Sequence, residues 1–250
     1  MTLRGMVFFD IDGTLVPSMS SGSFLAAHMG HQHELDDAER RYAVGELTNE
    51  QVSVIDARGW RGVDTSTVDR WLDDLPVIDG VDDVISVIDA RGWRGVDTST
   101  VDRWLDDLPV IDGVDDVTSW CRSRRIEPVL ASLAWQPVSS AIARRYGFTT
   151  NGGPQVGISE SVYDGTVAEH FDEFDKRDRA VALAGERGIP LHRCCAIGDS
   201  RSDIPLFEVL PESLALNANT AAREAATAAL DTRDLTALLP WLQQWEQHLD

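Results

Sequence analysis

The chain has 250 residues, 43% hydrophobic and 26% charged, and carries a net charge of −20. That length accommodates one large domain plus a smaller insertion, and the acidic balance speaks against nucleic acid or anionic membranes as partners, because both need basic surface. No apolar run is long enough to span a bilayer and no secretory leader pattern opens the chain, so a cytoplasmic protein without membrane partners is expected.

In chain order, Gly5 to Asp10 reads as a short buried strand that runs into the loop Asp12-Gly13-Thr14. Ser23 to about Asp116 reads as mostly helical, with breaks at Gly30, Gly59, Pro76 and Gly80. Pro128 to Ala131 is a second strand and Pro137 to Tyr146 a helix. Thr149 to Val167 is rich in Gly and is expected to form a hairpin around Asp164-Gly165. Lys176 to Arg187 is a helix stopped by Gly188 and Pro190, and Cys194 to Ile197 a strand entering Gly198-Asp199. A helix over Asp203 to Leu210, a strand over Ser213 to Leu216 and two closing helices, roughly Thr220 to Leu230 and Asp234 to Leu249, complete the pattern.

Within the helical stretch, Ser53 to Val84 and Ser86 to Val117 are identical at an offset of 33 residues. Solenoids have this period but need several copies that diverge. Two identical copies read instead as one recent tandem duplication or an error in the gene sequence. Cys121, Cys194 and Cys195 lack the spacing of a disulfide framework or a zinc site and read as small core residues. His28, His31 and His33 lie close together, yet no carboxylate or Cys spacing supports a metal site there, and a polar loop is the plainer reading.

Alternating strands and helices imply a parallel sheet with helices on both faces, and such sheets bind ligands beyond the carboxyl ends of their strands. Asp10 and Asp12 follow the first strand, Ser132 the second and Asp199 the third, while Lys176 opens the helix before that third strand. A carboxylate can attack phosphorus and form an acyl phosphate, and a neighbouring carboxylate can protonate the leaving alcohol and then activate water. A hydroxyl at a strand end can hold a phosphate oxygen. Lys176 is the sole lysine against 21 arginines, which points to a site that wants a compact ammonium.

Asp10-Ile11-Asp12-Gly13-Thr14-Leu15, the strand ending at Ser132, Lys176 and Gly198-Asp199-x-x-x-Asp203 resemble, in order, the four motifs of the haloacid dehalogenase superfamily of phosphatases. Lys176 and Asp199 are 23 residues apart, and Asp10 and Ser132 are 122 apart, a separation that one 33-residue copy less would bring to 89. That matches the subgroup containing phosphoserine phosphatases, with a helical cap between the first two motifs.

The resemblance implies a doubly wound α/β core of residues 1–17 and 117–250, with a mainly α-helical cap at 18–116 that holds the duplication. It implies Asp10 as nucleophile and Asp12 as general acid and base, with Ser132 and Lys176 binding phosphate. It also implies Mg²⁺ held by Asp10, the backbone carbonyl of Asp12 and Asp199, with Asp203 a further ligand or a supporting partner. The expected substrate is a small phosphorylated metabolite. Met19 stands where the subgroup usually has the Glu that holds an amine, and Ser202 where it has Asn. Arg58 or its twin Arg91 is the candidate for a substrate carboxylate, although a solvent-facing Arg is the plainer reading. The apolar residues from Met19 to Leu25 point to a less polar leaving group. Three rivals stand beside hydrolysis. A phosphotransferase would use an alcohol in place of water, and a dehalogenase would not need Asp12. A binding protein would keep the fold without turnover.

Overall fold

A computed structural model describes residues 2–16, 20–73, 113–160 and 162–249. Six strands form one parallel sheet: β1 (Gly5–Phe9), β2 (Ile126–Leu130), β3 (Thr149–Thr150), β6 (Cys194–Gly198), β7 (Glu212–Leu216) and β8 (Ala228–Leu230). Their order is β3-β2-β1-β6-β7-β8, so the chain winds outward in both directions from the β1/β6 junction. A separate antiparallel pair, β4 (Gln155–Ser159) and β5 (Val162–Glu169), stands outside that sheet.

Strand β1 is Gly-Met-Val-Phe-Phe and every residue in it is buried. An unbroken apolar run is what a strand needs when helices cover both of its faces. Val7 and Phe9 join Leu130, Cys195 and Ile197 in one core, with α5 (Val114–Ser123), α6 (Gln136–Tyr146) and α10 (Leu239–Glu246). Met6 and Phe8 point the other way, into a core with Val129, Ala196, α7 (Glu173–Glu186) and α8 (Ile204–Phe207). Register places the site: Phe9 is level with Leu130 on one side and Ile197 on the other. The residues that follow these three therefore emerge together at one edge, the strand-order switch point where open α/β sheets take ligands.

Between β1 and α5 lie α1 (Ser21–Met29), α2 (Gln32–Ala43), α3 (Asn49–Gly59) and α4 (Thr65–Asp73). Their ends follow local chemistry. The Ser20 hydroxyl accepts from Ser23 N–H at the start of α1, and Gly30 ends it in the left-handed conformation. Thr48 and Gln51 form a reciprocal capping box at the start of α3. The first three pack around Ala26, Leu35, Ala38 and Val52, a small core of their own. The turn after α3 is tied to β5 by Gly62 N–H to Tyr163 C=O and Tyr163 N–H to Val63 C=O. Trp60 is fully buried there, edge-on to Trp135 and Tyr163.

The first repeat copy supplies most of α3 and all of α4, while the end of the second copy, Gly113 to Val117, leads into and begins α5. Residues 74–112, with the expected breaks at Pro76 and Gly80, lie outside the described residues.

Three expectations change. The hairpin turns at Glu160, and Asp164-Gly165 falls inside β5 at a register irregularity, where the Asp164 carboxylate accepts from Thr166 N–H. Ala228 to Leu230 is the edge strand β8, beyond a short α9 (Thr220–Ala225), so its alanines favour a helix that sheet pairing overrides. The helix expected over Asp203 to Leu210 is a 3₁₀ turn at Arg201–Asp203 followed by the single turn of α8. The three cysteines are free and buried, as expected.

Candidate active site

Asp10 leaves the end of β1 and is buried, as are Ser132 beyond β2, Lys176 in the first turn of α7 and Asp203 beyond β6. Lys176 Nζ donates to Asp10 Oδ1 at 2.9 Å and to Asp203 Oδ1 at 2.6 Å. Lys176 is aimed by its helix: Asp172 caps α7, accepting from Phe174 and Asp175 N–H in a second capping box. The other Asp203 oxygen accepts from the backbone N–H groups of Asp199 and Ser200. Asp203 is thus fully engaged in shaping the loop and holding Lys176. Asp199 is not: its Oδ1 is buried and has no partner.

Carboxylate oxygens of Asp10, Asp199 and Asp203 lie within 4.8 Å of one another. Burial pushes the Asp199 carboxyl up to about 9, with Asp10 and Asp203 adding to it, and burial pushes Asp203 up to about 6 against the pull of Lys176. Asp10 is also raised by burial, with Lys176 opposing. Burial alone would lower Lys176, but Asp10 and Asp203 outweigh it and hold the ammonium above its ordinary range. One lysine among three carboxylates leaves negative charge uncompensated, and an orphaned, buried oxygen on Asp199 completes a set of hard oxygen donors that suits a divalent cation.

Two glycines make this cluster possible. A Cβ on Gly13, whose φ of 81° already disfavours other residues, would overlap the Asp199 carboxylate. A Cβ on Gly198 would overlap that of Asp203.

Asp12 stands apart from the acid cluster. Its Oδ1 accepts from Ser21 N–H at 2.6 Å, at the start of α1. Burial raises its carboxyl, opposed by that N–H and by Lys176. From Asp10, Asp12 and Ser132 a cavity of about 330 Å³ opens toward α2 and α3, walled by Ser20, Glu39, Tyr42, Ser53, Asp56 and Trp135 among others.

The family of haloacid dehalogenase-like hydrolases matches residues 7–208, most of the chain. The chain belongs to this family. The chain is similar in fold to phosphoserine phosphatase captured as a phospho-aspartyl intermediate analogue, with TM-score 0.73 and 17% identity over 96% of this chain and 99% of that one. That likeness is one of fold. Among curated relatives, a probable phosphatase of Mycobacterium tuberculosis is 27% identical over 99 residues, 40% of this chain and 34% of the relative. A phosphoserine phosphatase of Albidiferax ferrireducens is 23% identical over 128 residues, 49% of this chain and 54% of the relative. The matched regions thus span between a third and about half of these relatives' lengths. Among the described residues, no helix of this hydrolase is long and apolar enough to cross a membrane.

The sequence-based set therefore divides. Asp10, Lys176, Asp199 and Asp203 meet in one cluster, and Asp12 and Ser132 share the cavity with Asp10. Arg58 is exposed on α3 and does not line the cavity; Met19 and Arg91 lie outside the described residues. Phe24 and Leu25 also turn away from the cavity, and Leu25 belongs to the main core. The histidines separate: His28 is bonded to Phe24 C=O and His31 to Asp56, while His33 is exposed. Glu39, Tyr42, Asp56, Trp135 and Arg201 are wall residues that sequence patterning does not single out. Helix-face spacing of Glu39 and Tyr42 (i, i+3) was the available signal.

Proposed function

We propose that this hydrolase is a Mg²⁺-dependent phosphomonoesterase that works through an aspartyl-phosphate on Asp10. The observation that carries the reading is the Lys176 bridge between Asp10 and Asp203 beside an unpartnered Asp199 oxygen, with Asp10 lining a cavity of about 330 Å³. Asp10 and Asp199, with the Asp12 backbone carbonyl, would hold Mg²⁺. When bound, the ion offsets phosphate charge and polarises a phosphoryl oxygen.

The protein groups divide the remaining work. Lys176 opposes the burial that raises Asp10 and so favours the ionised nucleophile, and it neutralises a phosphate oxygen on arrival. Ser132 Oγ lines the same cavity and offers a hydroxyl to another phosphate oxygen. Asp10 attacks phosphorus, and Asp12 gives its proton to the departing alkoxide. Burial favours the protonated Asp12 that this step requires. In the second step Asp12, now ionised, takes a proton from water as that water attacks the acyl phosphate. The Ser21 N–H fixes the Asp12 carboxylate throughout.

Helices α1 to α4 act as a cap over this site in the proposed reading. A cavity of about 330 Å³ is sized for a small phosphorylated metabolite rather than a protein. The structurally similar phosphoserine phosphatase, captured as a phospho-aspartyl intermediate analogue, accords with the same chemistry. The test is phosphate release from a panel of small monoesters with and without Mg²⁺, together with the Asp10→Asn variant. Release that requires both metal and Asp10 supports the reading; release unaffected by either sinks it.

A further inference from the structure

The cavity beyond the phosphate site has a charge pattern that bears on the leaving group. Glu39 and Asp56 both line it, on α2 and α3. Asp56 is fully used: Oδ1 is 2.5 Å from His31 Nε2 and accepts from Trp60 Nε1 at 3.2 Å, and Oδ2 accepts from Trp135 Nε1 at 2.5 Å. Glu39 is used on one side only, where Oε1 accepts from Ser20 Oγ at 2.6 Å. The same short segment touches Asp12, since the next residue, Ser21, donates its N–H to Asp12 Oδ1. One peptide unit therefore links Glu39 to the group that protonates the leaving alcohol.

Cations on the wall do not balance this. Among the described residues lining the cavity, the cationic side chain is Arg201, and both its terminal nitrogens are engaged, Nη1 with Tyr42 C=O and Nη2 with Glu173. The Tyr42 ring lies under the Arg201 guanidinium, 4.9 Å from the ring centroid, so this part of the wall is already occupied by a cation. Trp135 adds an aromatic surface. A carboxylate entering this space meets the open side of Glu39 and, among the described lining residues, no free cation. An ammonium meets the open side of Glu39 and the indole of Trp135.

Building on the phosphatase reading, we infer that the substrate is the phosphate ester of an amino alcohol that carries no carboxylate, with its ammonium held by Glu39. Glu39 is the specificity-determining residue in this assignment, and Asp56 is a positioning residue that ties α3 to Trp135.

Three esters isolate the claim. Ethanolamine phosphate, ethylene glycol phosphate and phosphoserine differ by exchange of ammonium for hydroxyl or by addition of one carboxylate. The full chain with Mg²⁺ should show kcat/KM for ethanolamine phosphate at least about tenfold above each of the other two, mainly through KM. In Glu39→Gln the ratio of ethanolamine phosphate to ethylene glycol phosphate should fall by about tenfold. The ratio is internal to each variant, so a partly folded preparation does not mimic the effect. Hydrolysis of all three esters without an amine preference, or a preference for phosphoserine, overturns this inference and leaves the phosphatase reading standing. No hydrolysis of these esters or of p-nitrophenyl phosphate overturns both.

Discussion

Lys176 sits closer to Asp203 than to Asp10, 2.6 Å against 2.9 Å, and all three side chains are almost wholly buried. In the proposed mechanism Asp203 is the anchor of the ammonium, and Asp10 the partner that exchanges it for phosphate. Removing the cation strands two buried carboxylates, which costs about 3–5 kcal/mol. Lys176→Met should therefore lower Tm by roughly 10 °C at pH 8. The sign of the pH effect follows from Asp203, already raised to about 6 with the lysine present. A raised carboxyl contributes stability at low pH that is lost as pH climbs through its folded value. The Tm deficit of Lys176→Met should shrink between pH 8 and pH 5. A deficit that stays constant across that range would mean the carboxylates are not stranded.

Asp10→Asn keeps the shape of the nucleophile and its bond to Lys176 but cannot form an acyl phosphate. Turnover should fall by about a thousandfold or more, with circular dichroism unchanged. A residual rate within about tenfold of the parent contradicts the assigned role.

Metal binding should appear as stability. A cation that relieves the charge at Asp10 and Asp199 binds the native state alone and adds about 2.7 kcal/mol at a hundred times its Kd. Mg²⁺ should raise Tm by several degrees in the parent, and EDTA should reverse the rise. Asp199→Asn should abolish it. Gly13→Ala should do the same, because its added methyl overlaps the Asp199 carboxylate. A full Mg²⁺ shift in Gly13→Ala would place the cation elsewhere.

The parts visible in the sequence are those fixed by local chemistry. The apolar run Gly5 to Phe9 and the acids after it declare a buried strand and a site, since both depend on neighbours along the chain. Lys176 stands out because arginine is used everywhere else. The wall of the cavity is different. Asp56 matters because Trp135, 79 residues away, donates to it, and no periodicity encodes that meeting. Ala228 to Leu230 reads as helix from its alanines and becomes strand only because β7 offers an edge. Asp164-Gly165 carries a turn signature, yet the Asp164 carboxylate satisfies a local N–H within β5 instead.

Glu39 supplies a second pH signature. Burial pushes its carboxyl from 4.5 to about 7, with the Ser20 bond opposing and Asp12, Asp56 and Asp36 adding to the rise. Its contribution to stability is therefore complete below 4.5 and is lost as pH rises through about 7, on the order of 2–3 kcal/mol. Glu39→Gln keeps an acceptor for Ser20 and removes the ionisation. The variant should match the parent in Tm near pH 5 and exceed it by several degrees at pH 8. Parallel Tm curves would show that Glu39 is solvated rather than enclosed by the cavity wall.

The duplication gives a deletion experiment with a single product. Because residues 53–84 and 86–117 are identical, removing 33 consecutive residues starting anywhere from 53 to 85 yields the same sequence. The shortened chain joins Asp73 of α4 to the glycine that precedes α5 through Asp74-Leu75-Pro76-Val77-Ile78-Asp79 alone. Helix continuity favours this assignment of copies. Were the second copy to supply α3, the extra residues would enter after Val52, inside that helix and next to its capping box. The deletion should therefore preserve every described element and every wall residue, Asp56 and Trp60 included. Activity within about twofold of the full chain is expected on the best of the panel esters. A drop of more than about tenfold, with the shortened chain still folded and monomeric, would assign the second copy a part in the site.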